Sequence, residues 1–217
     1  MQFYRLAKTV DCTGDVEKKS NTVSVTFTGY IMPPGGCKLV VSATCWADYN
    51  IDDLQTFATR ADMYTKFYQW NRLTAYSVEV PITPAWNSIA DTSSTWKVNP
   101  CPNNWRMPSQ EEFMSLSNSG TSWVAANTGR GNSVPGRFYG YNHTTCQLPS
   151  GMEGCIFLPA NGFHSTASLS NQNAYGVYWS STQSDSANGY LLVFISTSSN
   201  PANTNTKAFG SSVRRVR

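Results

Sequence analysis

The chain has 217 residues, 40% of them hydrophobic and 13% aromatic, enough apolar material for one domain with an extension or for two small ones. Its net charge of +3 is too small to argue for a nucleic-acid partner. No run approaches the ~20 apolar residues of a membrane span, and the opening MQFYRLAKTV has no apolar signal core, so either the protein is not exported by that route or a leader preceded this stretch.

Charged residues make up only 13% of the chain, against an ordinary ~25%. Gly, Ser, Asn and Thr take their place, a composition of short strands and ordered loops. Over residues 22–30, TVSVTFTGY alternates: Val23, Val25 and Phe27 share one face, and Thr22, Ser24, Thr26 and Thr28 the other. This is a half-buried strand. MPPGG at 32–36 is a turn, and CKLVVSATCW gives a second strand, so the first forty residues read as a short β extension. Residues 52–63 are a weak helix candidate, with Leu54, Phe57 and Ala58 at helical spacing. Residues 81–104, rich in Pro, Ser, Thr and Asn, read as loop.

The best helix is PSQEEFMSLSNSG. Ser109 and Glu112 have capping-box spacing, Phe113 and Leu116 face the core, and Gly120 ends it. Gly-rich loops follow over 128–140. CIFLPA, YGVYWSST and GYLLVFIST are further strands, separated by Ser- and Asn-rich segments. In GYLLVFIST, Leu192 and Phe194 share one face and Leu191, Val193 and Ile195 the other. Either three apolar side chains point outward as part of a binding site, or the strand is buried on both faces.

The six cysteines, Cys12, Cys37, Cys45, Cys101, Cys146 and Cys155, include no CxxC. His143 stands three residues before Cys146 with no second ligand pair, so no zinc site is expected. The even count permits disulfides, but a chain this long does not need them, and most of the six are expected to be free and buried. Glu111 and Glu112 point to different sides of a helix and make no acid–base pair. Cys101 has no nearby His to activate it, and His143 and His164 fit no triad. DYNIDD at 48–53 lacks the spacing of a calcium loop. Trp70, Tyr178 and Trp179 could stack on sugars but read as core. Arg214, Arg215 and Arg217 read as a solvated or salt-bridged terminus rather than a phosphate site.

CWADYN at 45, FYQWNR at 67, NPCPNNWRMPSQEEF at 99, IFLPANGF at 156, GVYWSST at 176 and SVRRVR at 212 occur in that order. Together they resemble the Fibrobacter succinogenes major paralogous domain family over roughly residues 41–217. That family is similar to C-type lectin-like domains and to formylglycine-generating enzymes. The resemblance implies an α+β, C-type lectin-like fold over 41–217, after the β extension of residues 1–40. The sugar motifs of calcium-dependent lectins are absent, and there is no cysteine after Cys155 to supply the reactive pair of the formylglycine-generating enzymes. Neither activity carries over, and no cofactor or metal is implied.

Some C-type lectin-like proteins are the variable proteins of diversity-generating retroelements, in which a template is copied with errors at adenines. The tract at about 173–213 resembles such a region. Asn codons changed only at adenine cannot become Glu, Gln, Lys, Met or Trp. From Ser180 to Val213 there is no Glu, Met or Trp, and only one Gln (Gln183) and one Lys (Lys207), which would be fixed positions. The resemblance thus implies a non-enzymatic binding protein carried on a phage tail or a bacterial cell surface. Its partner would be a protein or glycan receptor, and the analogy with tail-borne members points to a homo-oligomer. Its variable ligand-binding residues would be Ser184, Asp185, Ser186, Asn188, Gly189, Leu191, Val193, Ile195, Thr197, Ser198, Phe209 and Ser211. The alternative is a surface adhesin or glycan-binding module of the same family with no diversification.

Overall fold

The computed structural model of the chain describes residues 37–217, apart from 42–43, 80, 88, 103, 149–153 and 166–167. The strand expected over 22–30 and the turn over 32–36 lie outside the described residues. CKLVVSATCW is two strands rather than one: β1 (Cys37–Val41) and β2 (Thr44–Ala47) pair antiparallel. The weak helix at 52–63 does not form. Its place is taken by β3 (Ile51–Asp53) and β4 (Thr56–Phe57), joined by a turn in which Gln55 adopts φ 56° and Asp53 Oδ1 accepts the Leu54 N–H at 2.8 Å. That local side-chain bond offers the backbone an alternative to a helix. Leu54 is exposed while Phe57 and Ala58 are buried, so the apolar spacing marked no helical face.

β5 (Phe67–Gln69) and β6 (Ala75–Tyr76) precede a long irregular stretch in the place read as loop. Then comes α1 (Gln110–Asn118), where the capping box forms as its spacing predicts. The Glu112 N–H donates to Ser109 Oγ at 3.2 Å, and the Ser109 N–H donates to Glu112 Oε2 at 2.8 Å. Phe113 and Leu116 are buried. After α1 run β7 (Thr121–Val124), β8 (Gly136–Tyr139) and β9 (Ile156–Pro159). The short β10 (Phe163–His164) and β11 (Leu169–Ser170) follow. The last four are β12 (Gly176–Gln183), β13 (Asn188–Phe194), β14 (Ser199–Thr206) and β15 (Gly210–Ser211).

The architecture is therefore mainly β, which corrects the α+β, C-type lectin-like expectation. Among the described residues one nine-residue helix stands against fifteen strands. The ladders are antiparallel. Physically, only the 109–120 stretch combines a cap with a helical apolar period. Elsewhere aromatic and β-branched residues sit among Ser, Asn and Gly, which favour pleated pairing and turns.

Three-stranded sheets β12-β13-β14 and β7-β8-β9 lie with a five-stranded sheet ordered β11-β10-β15-β5-β6. β14 is an edge strand. Its ladder with β13 shifts between Leu191 and Val193, Pro201 sits mid-strand without an N–H, and Asn200 Oδ1 accepts the Ala202 N–H at 2.9 Å.

Two apolar clusters meet at β12 and β13. Tyr68, Trp70, Trp105, Val177, Trp179 and Leu191 belong to one, and Trp46, Phe113, Tyr178, Leu192, Phe194 and Val216 to the other. The final segment threads between them. The N–H groups of Cys45, Ala47 and Ile51 donate to the carbonyls of Arg217, Arg215 and Val213 at 2.9–3.0 Å. Arg106 and Val216 exchange both backbone bonds.

Arg214 and Arg215 are fully buried, contrary to the reading of a solvated basic end. The Arg214 guanidinium donates to Ala47 O and Phe157 O, both at 2.7 Å. Burial pushes its pKa down to about 10. The cysteines also depart from expectation. Cys146 and Cys155 form a disulfide, Cys45 is disulfide-bonded, and Cys101 is free and buried.

Candidate functional site

Of the two sequence readings of β13, burial on both faces is the one observed. Leu192 and Phe194 pack in one cluster, and Leu191 packs in the other with half-buried Val193 against it. Only 1% of Leu191 is exposed, so it offers nothing to a surface ligand. Gly189 is buried too, because a Cβ there would lie 2.5 Å from the Trp70 ring and 3.0 Å from that of Trp179. Ser211 is fully buried in β15. Half-buried Phe209 stacks on Phe163 with ring centroids 5.9 Å apart. Trp70, Tyr178 and Trp179 are core, as read.

The remaining expected residues fall at the two ends of β13. Ser184, Asp185 and Ser186 are exposed at the β12–β13 connection, with Asn188 half-buried beside them. Thr197 and Ser198 are exposed at the β13–β14 turn, with Ile195 half-buried. Seven strand residues put these ends roughly 20 Å apart. The solvent-facing side chains of β14, Asn200, Ala202 and Thr204, run between them.

Each end is held by a buried cation. At the first, Asp185 Oδ1 accepts the N–H groups of Ala187 (2.7 Å) and Asn188 (2.8 Å), while the Asn188 amide donates to both carboxylate oxygens. The Asn188 hydrogen bond, the backbone donors and the charge of Lys207 hold the Asp185 carboxyl below its ordinary range. Lys207 is fully buried. Its Nζ donates to Ser93 O (3.0 Å), Ser186 O (3.2 Å) and Gln183 Oε1 (3.3 Å), and lies 5.1 Å from the Trp70 ring centre. Burial pulls its pKa down.

At the other end Arg137 donates from Nε to Ile195 O and from Nη2 to Ser196 O, both at 3.1 Å, and from Nη1 to Thr121 Oγ1 at 3.2 Å. Burial lowers its pKa. Both loops are thus held partly through their carbonyls, the first also by the Asp185 side chain.

The sequence reading missed one contributor. The segment around Ser93 lies beside the 184–188 loop: Thr95 bridges to Thr182, Ser93 O accepts from both Lys207 and Trp70 Nε1, and Trp96 packs on Trp70 at 5.0 Å. Thr92, Ser94 and Thr95 are exposed there. No local spacing marks this segment. The one available signal was the isolated Lys207, whose partners lie far off in sequence. Among the described residues, no group of three His, Cys, Asp or Glu side chains is placed to hold a metal ion. No described helix is long and apolar enough to cross a membrane.

Residues 41–217 match the family model of the Fibrobacter succinogenes major domain. The chain belongs to that family. No curated protein and no solved structure matches it. The Fibrobacter succinogenes major domain therefore covers all the strands from β2 onward together with α1, including both cation-held loops.

Proposed function

We propose that this protein binds a ligand or receptor without catalysis, and that its C-terminal surface is diversified by adenine-directed retroelement mutagenesis. The observation that carries the reading is the Gln183–Lys207 pair. These are the two residues of the 180–213 tract that adenine changes in an Asn codon cannot produce. They are bonded to each other at 3.3 Å, and Lys207 is fully buried. Residues that must stay fixed are thus the ones that hold the frame. The exposed positions, Ser184–Ala187, Ser196–Ser198, Asn200, Ala202 and Thr204, are types that such a process leaves behind.

A ligand on this surface touches Ser184, Asp185, Ser186, Asn188, Thr197 and Ser198, while Gly189, Leu191 and Ser211 serve as frame. A surface of loops on a rigid support suits exchange of side chains. The partner is a protein or glycan on a cell surface, and the site of action is a phage tail or a bacterial surface. Weak single contacts on such a shallow face would be raised by multivalency.

The test is to sequence the DNA flanking the gene. A near-identical copy of the segment encoding residues 173–217, beside a reverse transcriptase gene, is expected. Its differences should fall at template adenines and at the exposed codons named above. Differences spread equally over the codons of Leu191, Leu192 and Phe194, or no second copy, would sink the diversified reading and leave an undiversified adhesin.

A further inference from the structure

Lys207 and Gln183 bring an amine against an amide. Nζ of the fully buried Lys207 lies 3.3 Å from Gln183 Oε1. With a C=O bond of about 1.23 Å, this puts the amide carbon about 3.5–4.5 Å from the amine nitrogen. Neither end is free to drift. Gln183 pairs with Gly189 in the β12–β13 ladder, and the Lys207 N–H donates to Ala187 O at 2.9 Å. Nζ is steered further by Ser93 O (3.0 Å) and Ser186 O (3.2 Å), with the Trp70 ring centre 5.1 Å away.

Among the described residues no carboxylate forms an ion pair with Lys207. Its three acceptors are all amide oxygens, two on the backbone and one on a side chain. Burial favours the free-base amine and pulls the pKa down, while the charges of Asp185 and Asp91 pull it part of the way back. A free-base lysine is a nucleophile toward a carbonyl carbon. Attack at Ser93 or Ser186 would cut the chain. At Gln183 the departing group is ammonia, and the chain stays whole. Gln183 is half-buried beside exposed Ser184, so the ammonia is released at the rim of the protein.

We propose that Lys207 and Gln183 are the site of an intramolecular isopeptide cross-link. The Nζ lone pair forms the bond to Gln183 Cδ, and the Cδ–Nε2 bond breaks with its electron pair leaving on nitrogen. The Lys207 ammonium carries three protons. One stays on the new amide N–H and two pass to the departing nitrogen, so the products are a secondary amide and an ammonium ion. Atoms and charge balance with no oxidant or co-reactant. Amide exchange is slow between free molecules, but groups held in place react with effective molarities of roughly 10⁵–10⁸ M. The link closes residues 183–207 into a ring that contains β13 and β14. It ties the base of the 184–188 loop covalently, whether or not the surface is diversified.

The experiment is the intact mass of the unaltered, reduced chain, as purified and after incubation at about pH 9, which raises the free-base fraction of a lysine. A loss of about 17 Da, one ammonia, is expected. Chymotryptic digestion then locates it. Tyr190 and Phe194 lie between the partners, so a cross-linked chain yields one product that holds both the Gln183 and the Lys207 peptides. Gln183→Met and Lys207→Met should each keep the full mass. Because the unaltered chain carries the measurement, the test stands even where a variant does not fold. The full sequence mass after both treatments overturns the cross-link. So does an ammonia loss that maps to other residues, with the Gln183 and Lys207 peptides released separately and unmodified.

Discussion

Gly189→Ala tests whether β13, beneath the proposed binding surface, is frame or contact. The added methyl would stand 2.5 and 2.6 Å from two atoms of the Trp70 ring and 3.0 Å from Trp179. Neither ring is free to retreat. Trp70 Nε1 donates to Ser93 O at 3.2 Å, Trp179 Nε1 donates to Tyr68 O at 2.8 Å, and the two indoles pack edge-on at 5.6 Å. Relief needs a shift of about 1 Å, in a core where overpacking costs about 1–3 kcal/mol. A strained or broken indole hydrogen bond adds about 1 kcal/mol. For a domain of this size the sum, about 2–4 kcal/mol, lowers the midpoint by about 5–10 °C. Urea and thermal unfolding followed by tryptophan fluorescence measure it, with Ser184→Ala as a surface control expected to shift by less than about 0.5 kcal/mol. If Gly189→Ala melts within 1 °C of the unaltered protein, the packing argument is wrong and position 189 is open to variation.

Lys207→Met keeps the stem but removes the donor to Ser93 O, Ser186 O and Gln183 Oε1. It should cost about 2–3 kcal/mol in urea unfolding and speed amide exchange over 184–188. Arg137→Lys loses the two-carbonyl clamp on Ile195 and Ser196, so exchange should accelerate over 195–198 while the 184–188 loop is unchanged. For Glu112, burial raises the carboxyl pKa, but the Arg106 pair, the Ser109 N–H and Thr44 outweigh it, leaving the folded value below the ordinary 4.5. A depressed carboxylate stabilises above its unfolded pKa. That contribution should fade as pH drops below about 4.5, and Glu112→Gln should flatten this part of the acid unfolding curve.

The sequence made α1 legible because a cap and an apolar period are local signals, and Ser109, Glu112, Phe113 and Leu116 lie within eight positions. β14 was not legible. SNPANTNT has no apolar alternation, and its extended form comes from the ladder to β13 rather than from propensity. The period-2 pattern of β13 correctly divided Leu192 and Phe194 from Leu191 and Val193. It carried no information on whether a second cluster covers the latter face. The burial of Arg214 and Arg215 was hidden for a similar reason: the partners of these side chains, the carbonyls of Ala47, Phe157 and Thr56, lie 57–167 positions away. The three-residue basic end resembled a solvated tail only when read alone. At the candidate site, composition singled out Ser184–Ser186 and Thr197–Ser198, which are exposed loop residues, whereas Lys207 and Ser93 meet only in the folded chain.

The open edge of β14 bears on how the protein behaves when crowded. An uncovered strand recruits other chains by offering a regular row of backbone donors and acceptors. Here the row is interrupted: Pro201 has no donor, the next amide is already spoken for by Asn200, and the ladder slips at the same place. A docking strand from another copy would meet a bent template at that point, because the register shift kinks the strand. Such an interruption works against edge-to-edge pairing between copies. Exchanging side chains at Ala202 or Thr204 leaves that safeguard intact, because it resides in Pro201, Asn200 and the backbone register.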